Sequence, residues 1–147
     1  MTLPTIPDSA IVLRAHAADW RAAIGAAGAA LTASGFATEE YADQMERMVD
    51  EHGPYIVIAP GLALAHARPG PAVLADGIAV VTLAEAVPFG HPHNDPVRVV
   101  LAVAVTTAAR HLQIVADLAN VFNDSDAVDR IADAESADAV RAILEAA

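Results

Sequence analysis

The chain has 147 residues, is 55% hydrophobic and carries a formal net charge of -11, which suits a soluble single domain spanning residues 1–147. Every basic residue is an arginine, so there is no broad basic patch for nucleic acid, while an acidic surface favours a protein partner with a basic face. With no cysteine, a disulfide framework, a thiol nucleophile and a Cys-based zinc site are all excluded.

In chain order, Ile11 to Arg14 reads as a short strand. Trp20, Ile24, Ala27 and Leu31 then recur at helical spacing, with Asp19 near the start and Gly35 as the stop. Thr38 is the expected N-cap of a second helix, with Glu39 and Glu40 in its first turn. Tyr41, Met45, Met48 and Val49 form its apolar stripe, and His52-Gly53-Pro54 ends it. Tyr55 to Ala59 is a β-branched run that predicts a buried strand. Pro60-Gly61 marks a turn, and Leu62 to Ala67 predicts another extended segment. Two longer strands are predicted over Gly77 to Leu83 and Val97 to Val105, separated by a polar loop, Gly90 to Pro96.

Beyond Ala109 the period becomes helical. Leu112, Val115, Leu118, Ala119 and Phe122 share a face, Asp124 or Ser125 caps a short helix through Ile131, and Ser136 caps a last one containing Val140, Ile143 and Leu144. The alternation predicts an α/β fold, a mixed and mostly parallel sheet with helices on both faces. The N-terminus lacks the basic start and apolar stretch of a signal peptide. The longest uncharged run, residues 22–38, is too rich in Gly, Ser and Thr to span a bilayer, so a cytoplasmic location is expected.

Six histidines carry the available chemistry. His91, His93 and Asp95 could clasp a metal, but Pro92 and Pro96 make the segment read as a turn, and no metal site or other cofactor is expected. His66 differs in context, because it ends an apolar run and precedes Ala67-Arg68-Pro69. Neutral imidazole is a nucleophile near neutral pH without a separate base, and its phosphoryl adduct stays reactive. Spacing alone does not separate this from an ordinary histidine at a strand end. His16, His52, His91 and His93 are given no role.

The run from Glu51 through Tyr55-Ile-Val-Ile-Ala-Pro-Gly to Leu62-Ala-Leu-Ala-His66-Ala-Arg-Pro69 resembles the active-site signature of the mannitol/fructose-type enzyme IIA proteins of the bacterial phosphotransferase system. Its wording is most similar to the ascorbate-type branch. Val87-Pro-Phe-Gly90, Asn94-Asp-Pro-Val97 and His111-Leu-Gln-Ile-Val115 extend the resemblance over roughly residues 8–146. Ala65 stands where the family usually has proline. The resemblance implies a phosphoryl carrier in which His66 takes phosphate from the carrier protein HPr and passes it to enzyme IIB, for transport through the membrane component IIC. It implies that His111 stabilises the phosphoryl group and, more weakly, that Arg47 contacts it. Arg68 is expected to contact it because guanidinium geometry suits phosphate. Transfer between two proteins needs a partly apolar docking surface, which Leu62, Leu64 and Phe89 are expected to supply. A homodimer fits the same frame. Two other functions fit the sequence less closely: a regulatory protein of the same fold that binds targets according to phosphorylation state, and a metal-dependent hydrolase built on His91, His93 and Asp95.

Overall fold

A computed structural model describes residues 3–145. After a 3-10 turn at Asp8–Ala10, the elements are β1 (Ile11–Ala15), α1 (Trp20–Ala33), α2 (Glu40–His52), β2 (Val57–Ala59), β3 (Leu62–His66), β4 (Gly77–Val87), β5 (Val97–Ala104), α3 (Ala108–Phe122), α4 (Ala127–Ala132) and α5 (Ala137–Glu145). The strands form one sheet in the order β1-β4-β5-β3-β2. The sheet is mixed, as expected, but not mostly parallel. β1–β4 and β3–β5 are parallel, whereas β4–β5 and β2–β3 are antiparallel.

Two helical groups cover the sheet. α1 lies over β4 and β5 and packs on α2, while α3, α4 and α5 pack on one another and meet β1, β4 and β5. Strands buried on both faces read as unbroken apolar runs, and β5 is buried at seven of its eight positions. Gly28 sets the closeness of α1 to α2: a Cβ there would lie 2.5 Å from the Ala42 Cβ. Asp19 caps α1, accepting from the Ala22 N–H at 2.8 Å.

The differences from expectation have local causes. Thr38 does not cap α2: Glu39 occupies that position, and the Thr38 hydroxyl is buried without a partner. The segment Tyr55–Ala59 is not a buried strand. Only Val57–Ala59 is extended, as the outer strand of a tight hairpin turned by Gly61 at φ 79, and Ile58 is 51% exposed. β4 runs on to Val87 because Val87 still pairs with Val97, although Ala84, Glu85 and Ala86 are exposed. At β1 the register shifts between Val12 and Ala15, and Arg14 adopts φ 56. Its N–H donates to Thr82 Oγ1 at 2.8 Å, which explains the buried threonine among the apolar core.

Candidate active site

β3 enters the core at Leu62 and delivers His66 to its far end, half-buried. The His66 Nδ1 lies 3.0 Å from the Leu64 carbonyl oxygen. A carbonyl only accepts, so Nδ1 carries the proton and Nε2 keeps its lone pair. Burial lowers the ring's pKa below the ordinary histidine value; the Leu64 bond opposes this, and His111 adds to the lowering. At neutral pH the ring is therefore an uncharged nucleophile.

His111 faces it, with ring centroids 5.1 Å apart. It lies in the first turn of α3, whose N-cap Thr107 accepts from the Arg110 N–H at 3.1 Å. A helix start presents unpaired N–H groups and partial positive charge, and Ala108 from this turn lines the same hollow as the two histidines. Asp76 anchors the turn: its carboxylate accepts from the Thr106 N–H at 2.7 Å and from Arg110 Nε at 3.2 Å. Those bonds outweigh partial burial and hold the Asp76 carboxyl below its usual pKa.

The hollow, about 220 Å³, is completed by Met48, Ala67, Arg68 and Pro69. Arg68 also borders an adjoining hollow of about 310 Å³, shared with Gln44, Arg47 and Glu51. The structure thus brings His66, His111 and Arg68 together and sets Arg47 one hollow away, where its Nε lies 3.4 Å from the Asp43 carbonyl oxygen of its own helix.

The expected docking residues are not available. Leu62, Leu64 and Phe89 are 0%, 5% and 5% exposed, because both faces of β3 are covered and Phe89 packs beside Trp20. The exposed apolar residues near the histidines are Tyr55, whose ring meets His66 edge-on at 6.0 Å, and Leu112, beside His111. Side-chain alternation gave no warning here, since a strand buried on both sides has no solvent face to predict.

The segment around His91 and His93 is held by its own hydrogen bonds. The His91 Nδ1 accepts from the backbone N–H groups of His93 and Asn94 at 3.1 and 3.0 Å. Asp95 accepts from the N–H groups of Phe89, Gly90 and His91. These lone pairs hold the loop together, and among the described residues no cluster of three or more His, Asp or Glu side chains is placed to hold a metal.

Residues 5–147 match the family model described as phosphoenolpyruvate-dependent sugar phosphotransferase system, EIIA 2. The chain is 34% identical over 125 residues to the ascorbate-specific PTS system EIIA component of Escherichia coli strain K12, covering 84% of this chain and 81% of that protein. Its fold matches the crystal structure of IIA mannitol from Escherichia coli with a TM-score of 0.85 at 26% identity, over 96% of this chain and 99% of the other. It also matches the complex of enzyme IIAMTL with phosphorylated enzyme IIBMTL from Escherichia coli, with a TM-score of 0.85 at 25% identity, over 97% and 99% of the two chains. With its sheet and paired histidines in place and nearly its whole length matched, the chain belongs to the EIIA type 2 family of the sugar phosphotransferase system.

Proposed function

We propose that the chain is a cytoplasmic phosphoryl carrier that accepts phosphate from phospho-HPr on His66 Nε2 and hands it to its cognate enzyme IIB, which serves a membrane component IIC. The observation that carries this reading is the His66 ring itself. Its Nδ1 is tied to Leu64, and its other nitrogen has no hydrogen-bond partner among the described residues and lies beside His111 at a helix start. No described helix is long and apolar enough to cross a membrane.

In the forward step the Nε2 lone pair attacks phosphorus in line with the donor's P–N bond. The new Nε2–P bond forms as the old one breaks, and the bonding pair returns to the departing HPr imidazole. The His66 ring gains positive charge, and Nδ1–H becomes a stronger donor to the Leu64 carbonyl. His111, Arg68 and the first N–H groups of α3 offer donors and positive charge to the three phosphoryl oxygens. The reverse geometry serves the second transfer, with the enzyme IIB nucleophile arriving where HPr left. The hollow, about 220 Å³, is small and lined largely by apolar groups beside the two rings, which suits brief contact with two successive protein partners.

The sugar we assign is L-ascorbate or a close relative, on the likeness to the ascorbate-specific relatives. The test is incubation with phosphorylated HPr. An acid-labile phosphate mapping to His66, and its passage to an ascorbate-type enzyme IIB faster than to a mannitol-type one, is the expected result. A chain that takes no label ends the relay reading, and preference for the mannitol-type acceptor ends the sugar assignment.

A further inference from the structure

The parallel ladder between β3 and β5 stops at the pair His66–Val103. In such a ladder alternate residues of a strand bond to the same neighbour. The Leu64 N–H is directed to the β2 side, where it meets the Ile56 carbonyl at 2.8 Å, so Ala63, Ala65 and Ala67 are directed to β5. The next regular rung would run from the Ala67 N–H to the Val103 carbonyl. Tyr41 interrupts it. The Ala67 N–H donates to the Tyr41 hydroxyl at 3.0 Å, and that hydroxyl donates to the Val103 carbonyl at 2.7 Å. The phenol is fully buried, and burial pushes its pKa up, so the hydroxyl keeps the proton it donates.

We propose that Tyr41 is a positioning residue for the phosphoryl-accepting histidine: its hydroxyl replaces one rung of the β3–β5 ladder, spreads the strands just past His66 and fixes the direction of the ring. Tyr41 has no exposed surface and touches no substrate, so it acts only through the backbone. His66 is thereby gripped on both sides, by the Leu64 carbonyl two residues before and by the anchored Ala67 one residue after. The same spreading opens the hollow, because Ala67 forms part of its wall. The proposal rests on the relay reading of His66 for its kinetic consequence, but not for its geometry.

The experiment replaces Tyr41→Phe, which keeps the ring and removes the one hydroxyl. Turnover with phospho-HPr is expected to fall by about 10- to 100-fold with KM within about twofold, as for a small misplacement of the nucleophile. Nitrogen-15 spectra of the His66 ring are expected to change from one fixed tautomer to a mixture. Val140→Ala, in the α5 core, is the matched control for lost stability and is expected to leave turnover and ring spectra unchanged. A Tyr41→Phe protein with wild-type turnover and ring signals overturns the proposal, and so does an equal fall in the control. If Tyr41→Phe does not fold, the unaltered protein decides. Slow hydrogen exchange at the Ala67 amide, one residue beyond the ladder, supports the bridge, and exchange at loop rates overturns it. If the unaltered protein takes no phosphate at all, the relay reading fails, while the Ala67 and His66 measurements still judge the role of Tyr41.

Discussion

The chain contains two pairs of histidines, and their fates differ. His91 and His93 are close in sequence, sit in a loop, and have rings 6.2 Å apart. His66 and His111 come from a strand end and a helix start, and their rings are 5.1 Å apart. In the loop pair only His91 is spent on structure: its lone pair holds two backbone N–H groups, while the His93 ring makes no hydrogen bond among the described residues. In the distant pair, the His66 Nδ1–H donates to a main-chain carbonyl, which leaves Nε2 with its lone pair and no hydrogen-bond partner among the described residues. On the relay reading, reactivity depends on where in the fold a free lone pair lies, and proximity in sequence is a poor guide to that. The loop also lies at the wrong end of the strand. The Gly61 N–H donates to the Asn94 carbonyl at 2.9 Å, at the start of β3, whereas His66 ends it.

This contrast can be broken most forcefully at His66. His66→Ala is expected to abolish phospho-HPr-dependent labelling, a loss of more than about 10³-fold, with an unchanged circular dichroism spectrum. Retained label would move the chemistry elsewhere. Next in size is His111→Ala, expected to slow the transfer step by about 10²-fold in rapid-quench measurements, as for loss of one donor to a developing charge. A rate within twofold of the parent would reduce His111 to a helix-start residue.

The pH dependence sharpens the comparison further. The folded-state pKa of His66 is depressed, so its nucleophilic form prevails above that value. Transfer is expected to stay level through neutral pH and to fall only on the acid side of the usual histidine value of about 6.5. The stability sign is the same: the unfolded chain protonates first as pH drops, so stability from this group is full above the unfolded pKa and lost as pH falls through the folded one. A pH–rate profile that declines already above pH ~7 would contradict a neutral, buried ring.

In the loop, Asp95→Ala strips the acceptor from three N–H groups. A loss of about 1–3 kcal/mol in urea unfolding is expected, with phosphotransfer unaltered. Smallest of all is His93→Ala. Its ring makes no hydrogen bond among the described residues, and a change within about 0.5 kcal/mol and no change in labelling are expected.

Much of this was legible in the sequence, and the part that was not has a common origin. Strands β4 and β5 announced themselves as runs rich in Val, Ile, Leu and Ala, interrupted by Thr82 and Glu85 in one and by Arg98 in the other. α3 was legible as a helix, but its buried face is Ile114, Leu118 and Val121, and of the expected stripe Leu112 and Ala119 are exposed. Local patterns sufficed for the strands because burial on both faces shows in composition alone, whereas α3 carries apolar residues around more of its circumference than the core covers. The failures required knowledge of partners. β2 looked central by composition but lies on the edge of the sheet, and Leu62 and Leu64 could not be known to be covered on both faces. Tyr41 read as one more apolar stripe residue. Its hydroxyl meets groups 26 and 62 residues away, and nothing in its neighbourhood in the chain announces them.

The hairpin strand β2 and the kinked strand β1 are the two margins of the sheet. β2 is three residues long, with Pro54 and Pro60 nearby; β1 loses its regular spacing where Arg14 turns left-handed. A margin that is short, or bent, gives a stranger's backbone little straight length on which to zip up. A molecule rich in valine strands is thereby guarded against adding itself to its own kind side by side.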